Sequence, residues 1–321
     1  MLNSILIGIR LVCLPFFFLN ASLDAVSSEK EIELWEADSY DENSRLQETI
    51  AQNFLNLLED QFKFTQETPL LLDIGCGNGR ITNTVFNTFP GVQILGIDSS
   101  TDMIRFANNH FENPKMTFCV DRAEELSTIQ SGSIDAITSF SCLHWVLDQQ
   151  SAFQKMYQSL KPSGWIGLMF AAETGFDDPI DHAFAQAIQE APWNNYFQES
   201  TVQADWNLSK PENIKKQLEE IGFQIVSMGI QNFDYYFESP LIFQNWILAC
   251  AQQLKVLPPD LQLSCAKRIA ELYLKSTSDR QPSNHQCIYQ VDAFMLMAIK
   301  PDYVNSHPHS AETSILKQKD Q

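Results

Sequence analysis

Short apolar runs alternate with amphipathic stretches between residues 70 and 171. The apolar runs are Leu70 to Leu72, Val92 to Ile97, Met116 to Val120, Ile134 to Phe140 and Trp165 to Ala171. Their lengths are those of buried strands, and the stretches between them have helical spacing. Strands that alternate with helices form a parallel sheet with right-handed crossovers. The pattern therefore predicts an α/β fold with a doubly wound, mostly parallel sheet.

The alternation stops after about residue 175. Helices are predicted over residues 40–58, 178–191, 211–221, 240–254 and 259–275, a turn over 161–164, and strands over 223–228, 233–237 and 289–299. We expect the last strands to complete a seven-stranded sheet as antiparallel edge partners, with the helices inserted between them as a cap. The catalytic unit would span residues 31–301, with a core at about 36–175, a cap and closing strands at about 176–301, and a polar tail at 302–321.

A glycine turn follows the first strand, in the segment Asp73-Ile-Gly-Cys-Gly-Asn-Gly79. Gly75, Gly77 and Gly79 allow a tight turn and let a ligand approach the backbone at the carboxyl edge of the sheet. The helix start that follows can present N–H groups to a ligand. The plainer interpretation is an ordinary turn between a strand and a helix.

The spacing of this turn differs from the G-x-G-x-x-G of dinucleotide sites. Asp73 stands two residues before the first glycine, where a carboxylate repels a pyrophosphate but attracts an ammonium. S-adenosylmethionine has an ammonium and a sulfonium and lacks phosphate. The segment resembles motif I of the class I S-adenosylmethionine-dependent methyltransferases, which implies a Rossmann-like fold and this cofactor.

Two further acids follow predicted strands. Asp98 ends the second strand about twenty residues after the glycine turn, a position suited to ribose hydroxyls, although it could instead cap the next helix. Asp121, Arg122 and Ala123 follow the third strand, where the resemblance implies contact with the adenine amino group. We assign further cofactor contacts as follows: Tyr40, Ser99, Met103 and Phe140.

Composition narrows the substrate classes. The net charge of −19 opposes a nucleic-acid substrate, since phosphate binding depends on clustered Lys and Arg. The seven cysteines are scattered without C-x-x-C spacing, which indicates neither a disulfide framework nor a metal site. A small-molecule substrate is therefore expected.

The first thirty residues differ in character from the rest. An apolar run from Leu11 to Leu19, followed by small residues, resembles a secretory signal peptide with a weak cleavage site. The cofactor is made in the cytoplasm, where we expect the catalytic domain to work. Export, and membrane contact through this leader, stay open at this point.

Three segments carry a closer resemblance, to the juvenile hormone acid O-methyltransferases. They are residues 40–47 with Tyr40 and Gln47, residues 139–146 with Leu143-His144-Trp145, and residues 193–197. Trans-aconitate and malonyl-carrier-protein methyltransferases are similar but more weakly so. The resemblance implies methyl transfer to the carboxylate of a small apolar acid, with the Gln47 amide and the Trp145 indole N–H as donors to that carboxylate.

A carboxylate acceptor needs no general base because its pKa of about 4 leaves it ionised at neutral pH. A phenol or alcohol acceptor would need one, and His144 is then the candidate base. The alternative roles are a solvated helix position for Gln47, core packing for Trp145 and a structural histidine at 144. A protein that binds the cofactor or an acid without catalysis is the other class considered.

Overall fold

The computed structural model describes residues 35–199 and 206–302. The helices are α1 (Ala37–Asn43), α2 (Arg45–Gln61), α3 (Arg80–Thr88), α4 (Thr101–His110), α5 (Gln149–Ser159), α6 (Pro179–Ala187), α7 (Asn194–Glu199), α8 (Pro211–Ile221), α9 (Pro240–Cys250) and α10 (Pro259–Ser276). The strands are β1 (Leu70–Ile74), β2 (Gln93–Asp98), β3 (Met116–Val120), β4 (Ile134–Phe140), β5 (Leu160–Phe170), β6 (Gln224–Phe237) and β7 (Cys287–Ile299). Short 3₁₀ turns cover Leu143–Trp145 and Gln252–Val256.

The seven strands form one sheet in the order β3-β2-β1-β4-β5-β7-β6. Strands β1 to β5 run parallel, whereas β7 pairs antiparallel with both β5 and β6. The predicted fold class, including the antiparallel closing strands, is confirmed. From β1 the chain adds β2 and β3 on one side, and it then adds β4 and β5 on the other side. Ligands of such sheets bind where the order reverses, here between β1 and β4.

Helices cover both faces of the sheet. On one face the apolar side of α2 packs closely enough that a Cβ on Gly167 of β5 would lie 2.6 Å from a Leu58 methyl carbon. On the other face the α5 side chains Phe153 and Met156 are fully buried with Leu218 of α8. Burial on both faces explains why the central strands are mostly apolar, and the polar residues within β1 and β4 are themselves buried.

Three predicted boundaries are wrong. Residues 161–164 belong to β5, because the backbones of Ser163 and Gly164 hydrogen-bond to Lys300 after β7. The strands predicted over 223–228 and 233–237 are one strand, β6, since its exposed polar centre pairs with β7 without a break. The helix predicted over 40–58 is divided at Ser44, whose ψ of 21° separates α1 from α2.

The segment between β6 and β7 contains α9, the second 3₁₀ turn and α10, as the predicted cap insertion requires. Helix α10 packs on α6 and on α9. Within residues 35–199 and 206–302, no helix is long and apolar enough to span a bilayer. The signal-like leader at residues 1–30 and nearly all of the tail lie outside the described residues, and the proposed division into core and cap stays a prediction.

Candidate active site

The glycine turn lies at the carboxyl end of β1, at the switch point of the sheet. Gly75, Gly77 and Gly79 all have positive φ, which residues with a side chain rarely adopt. A Cβ on Gly75 would lie 2.2 Å from the Cys142 sulfur, so the turn also needs a glycine there for space. A Cβ on Gly77 would meet no atom within 4 Å, which leaves open room beside the turn for a ligand.

Asp98 connects the end of β2 to the glycine turn. Its Oδ2 accepts a hydrogen bond from the Gly77 N–H at 2.9 Å, and its Oδ1 accepts one from the Ser100 N–H at 2.9 Å. Ser100 is the N-cap of α4, because its hydroxyl accepts from the N–H of Met103. Ser100, rather than Asp98, therefore caps α4. A ribose contact stays the prediction for Asp98, and the neighbouring Ser99 is exposed.

Asp121 organises the loop after β3. Its Oδ1 accepts from the Arg122 N–H and the Ser127 hydroxyl, and its Oδ2 accepts from the N–H and hydroxyl of Thr128. Desolvation opposes ionisation, but these hydrogen bonds outweigh it and hold the pKa of Asp121 below its usual value. The carboxylate thus shapes the wall next to Ala123, and its predicted adenine contact has to be made in addition to these bonds.

Asp73, predicted to attract the cofactor ammonium, is almost fully buried at the end of β1. Its two oxygens accept hydrogen bonds from the Thr82 hydroxyl at 2.6 Å and the Thr138 hydroxyl at 2.7 Å. Burial raises the pKa of Asp73 to about 6 despite these bonds. The side chain lines the site, but it also joins β1 to β4 and α3.

Helices α1 and α2 cover the glycine turn through polar contacts that sequence reasoning missed. Asp41 of α1 accepts from Asn78 Nδ2 at 2.7 Å and from Arg80 Nη2 at 2.6 Å and Nε at 3.1 Å. Glu48 of α2 lies 3.9 Å from Arg80 Nη1. The available signal was a cation directly after the last glycine and acids on both sides of Gln47.

Gln47 points toward the cap rather than toward solvent. Its amide oxygen accepts from the Trp246 indole N–H at 3.3 Å, its amide nitrogen donates to the Ser44 carbonyl at 3.2 Å, and the Cys250 sulfur lies beside the amide at 3.2 Å. We place the amide oxygen toward Trp246 because an indole nitrogen can only donate. Burial raises the pKa of the Cys250 thiol to about 12, so the sulfur stays protonated.

Trp145 lies among aromatic rings at the end of β4. Its ring packs edge-on against Trp35, which in turn packs edge-on against Tyr40. Trp206 packs against both Trp145 and His144 from the other side. Burial raises the pKa of the Tyr40 phenol, and nearby Cys250 raises it further. Tyr40 therefore shares the neighbour Trp35 with Trp145 and the neighbour Cys250 with Gln47.

His144 is buried, with 7% of its surface exposed. Its Nδ1 accepts from the Ala171 N–H at 3.3 Å, and its carbonyl accepts from the Asn207 N–H at 2.7 Å. Burial lowers the pKa of His144 to about 3. The ring is consequently neutral with its proton on Nε2, and its lone pair is engaged by the backbone.

Five of the predicted cofactor contacts line one cleft, whereas the proposed donors Gln47 and Trp145 and the candidate base His144 are not in its lining. Its lining includes Tyr40, Ser44, Glu48, Asp73, Gly75, Cys76, Gly77, Asn78, Arg80, Ile81 and Phe140. The loops with Asp98 and Asp121 adjoin the glycine turn along the same edge of the sheet. Open space at Gly77, donors and acceptors along the edge, and charges of both signs fit the adenosyl and amino-acid parts of S-adenosylmethionine.

Comparisons with known proteins agree with this geometry. A family described as a methyltransferase domain matches residues 72–168. The juvenile hormone acid O-methyltransferase of Drosophila melanogaster is 27% identical over 223 residues, covering 64% of this chain and 72% of the fly protein. The malonyl-[acyl-carrier protein] O-methyltransferase of Priestia megaterium is 31% identical over 128 residues, covering 40% of this chain and 45% of that protein.

The solved structure of the YcgJ protein from Bacillus subtilis superposes with a TM-score of 0.51 at 17% identity. The superposition covers 78% of this chain and 99% of that protein, which supports the fold. Family match, relatives, fold and a glycine cleft with open space for a ligand all agree. This chain contains a methyltransferase domain over residues 72–168 and is a methyltransferase that uses S-adenosylmethionine as its cofactor.

Proposed function

We propose that this enzyme transfers a methyl group to the carboxylate of a small apolar organic acid. The observation that carries the proposal is the state of His144, the candidate base for any other oxygen acceptor. Its lone pair accepts from the Ala171 N–H, and burial lowers its pKa to about 3. A carboxylate needs no base, since it is already ionised at neutral pH. Both reported relatives are named for methyl transfer to an acid or acyl carrier.

The reaction is an in-line displacement at a methyl carbon, and S-adenosylmethionine supplies that methyl group as an electrophile when bound. The protein has to align one carboxylate oxygen and hold the other through donors, while it keeps water out. Gln47 and Trp145 are the proposed donors. Both are half-buried, and both have neighbours in common with Tyr40, which lines the cleft: Trp35 packs on Trp145 and Tyr40, and Cys250 lies near Gln47 and Tyr40.

The arrangement of Gln47 suits this role. One amide N–H donates to the Ser44 carbonyl, and the NH2 group has a second N–H to offer. A charged carboxylate oxygen is a strong acceptor, so this second N–H suits the substrate. The Trp246 indole meanwhile holds the amide oxygen and fixes which end of the amide faces the acceptor.

The surroundings of these donors favour an apolar acceptor tail. The Trp145 ring is flanked by Trp35 and Trp206, and the Trp246 ring stacks on Phe243 at 5.8 Å between ring centres. Apolar and aromatic linings with a few placed donors are typical of small-molecule sites. A malonyl-carrier acceptor is the second candidate, favoured by the Priestia relative, but the net charge of −19 would repel an acidic carrier protein.

Two substitutions test the assignment of the donors. Gln47→Ala and Trp145→Phe each remove an N–H, so we expect a higher KM for the acid or a lower kcat with cofactor affinity unchanged. Loss of a hydrogen bond to a charged group is worth about 1.5–3 kcal/mol, or roughly a 10- to 100-fold fall in kcat/KM. Trp193→Phe is the matched control, because its indole donates to Ser264 away from the cleft. Normal turnover in both test variants would remove these two residues from the mechanism.

A further inference from the structure

A cation occupies an unusual position beside the glycine turn. Arg80 is the first residue of α3, where the helix dipole disfavours positive charge. Its Nε and Nη2 are held by the Asp41 carboxylate at 3.1 and 2.6 Å. The other amino group, Nη1, lies 3.9 Å from Glu48 Oε2, close enough for an ion pair and too far for a hydrogen bond. One edge of the guanidinium is therefore fixed, and the other faces Glu48 across the cleft.

Arg80 and Glu48 give the cleft one charge of each sign. Arg80 is the only cation in the cleft lining within the part of the chain that the structure describes. The other acid in that lining is Asp73, whose two oxygens accept from threonine hydroxyls. Burial also raises the pKa of Asp73 to about 6. Glu48, with about a third of its side chain exposed, is better placed than Asp73 to meet a ligand cation.

The amino-acid end of S-adenosylmethionine is a zwitterion, with an ammonium and a carboxylate on the same carbon. A zwitterion needs a cation and an anion side by side, and the 3.9 Å separation of Arg80 Nη1 from Glu48 Oε2 provides both. Asp98, the predicted ribose contact, lies beyond Gly77 on the β2 side. The cofactor would then run along the glycine turn, with its amino-acid end at α2.

We propose that Arg80 and Glu48 form the subsite for the amino-acid zwitterion of the cofactor. Arg80 Nη1 binds the carboxylate, Glu48 binds the ammonium, and Asp41 positions Arg80 from α1. Glu48 follows Gln47 directly in the first turn of α2. Cofactor binding at Glu48 therefore also fixes the turn of helix that carries the proposed acceptor donor.

Calorimetric titration with four ligands tests this subsite without any methyl transfer. The ligands are S-adenosylhomocysteine, its decarboxylated analogue, its analogue without the amino group, and 5′-methylthioadenosine, which lacks both charges. Arg80→Met should weaken the two carboxylate-bearing ligands by about 10- to 100-fold and leave the other two within threefold. Glu48→Gln should weaken the two ammonium-bearing ligands and spare the other two.

Two further variants separate binding from structure. Arg105→Met is the matched control, since this exposed arginine pairs with Asp102 on α4, and all four affinities should stay unchanged. Arg80→Lys should recover part of the preference for carboxylate-bearing ligands. If Arg80→Met weakened 5′-methylthioadenosine as much as S-adenosylhomocysteine, or weakened neither, the subsite would be wrong. Because the ligands are cofactor analogues, this outcome is independent of whether the acceptor is a carboxylic acid.

Discussion

His144→Asn distinguishes a structural histidine from a catalytic base. The Asn oxygen can accept the Ala171 N–H that His144 Nδ1 accepts in the structure. If the acceptor is a carboxylate, kcat should stay within about tenfold of wild type, because a positioned general base contributes roughly 10²–10⁴-fold. The wild-type kcat should also be flat between pH 6 and 8, since the pKa of His144 lies near 3.

The same substitution has a stability signature of known sign. Burial lowers the pKa of His144 from 6.5 in the unfolded chain to about 3 in the native protein. Between these two pKa values the unfolded state binds a proton and the native state does not, so protonation of this group destabilises the native protein as pH falls. Linkage over pH 6.5 to 4.5 gives a loss of about 2 kcal/mol, and any native pKa below about 4 gives nearly the same loss.

Urea unfolding of wild type and variant at pH 6.5 and 4.5 measures this difference. The wild-type free energy of unfolding should fall by about 2 kcal/mol more than that of His144→Asn, because every other titrating group is common to both proteins. Equal pH dependence in the two proteins would refute the buried neutral state of His144. A loss of kcat beyond a hundredfold, with a kinetic pKa near 6.5 in wild type, would instead identify it as the base.

Three other substitutions test separate parts of the account. Trp246→Phe removes the N–H that holds the Gln47 amide oxygen, so KM for the acid should rise about 2- to 10-fold while calorimetric affinity for S-adenosylhomocysteine stays constant. Gly75→Ala should abolish that affinity, since its Cβ would meet a cysteine sulfur at 2.2 Å, whereas Gly91→Ala has a similar positive φ in open space and should keep it. Burial raises the pKa of Asp178 to about 7, so the native carboxyl holds a proton that the unfolded chain loses above about pH 4, and stability falls as pH rises to 7. The thermal midpoint of Asp178→Asn should therefore fall less between pH 5 and pH 8 than the thermal midpoint of the wild type.

The sheet and its cofactor edge could be predicted because their signals are local. The strands Met116–Val120 and Ile134–Phe140 begin and end where the sequence predicts them, because each follows turn residues and is rich in apolar residues. The glycine turn is equally local, because Gly75 needs both a positive φ and space against a neighbouring chain segment. Backbone geometry of this kind requires particular residue types at a few adjacent positions, so the sequence alone can predict it.

Partner choice within the site could not be predicted in the same way. The Gln47 amide meets Trp246 and Cys250, which are 199 and 203 residues away along the chain. No periodicity connects such positions, and only the packed insertion brings them together. His144 was a candidate base in the sequence, and its engagement by the Ala171 N–H depends on how the chain leaves β5.

The Asp121 carboxylate gives a third example of the same limit. Its partners Ser127 and Thr128 lie six and seven residues later, in a loop without regular structure. A loop of this kind gives no pattern from which its hydrogen bonds could be derived. The family resemblance predicted a cofactor contact at Asp121 and gave no sign of this structural role.

The most direct test of the central proposal is product analysis with methyl-labelled S-adenosylmethionine. The protein would be incubated with free acids of farnesoic, fatty and aconitic types, with a malonyl-carrier thioester, and with phenols and alcohols. We predict label in a base-labile methyl ester of an apolar free acid, at a rate that does not change between pH 6 and 8. Label in a base-stable ether of a phenol or alcohol, with no ester formed from any acid, would contradict the proposed function.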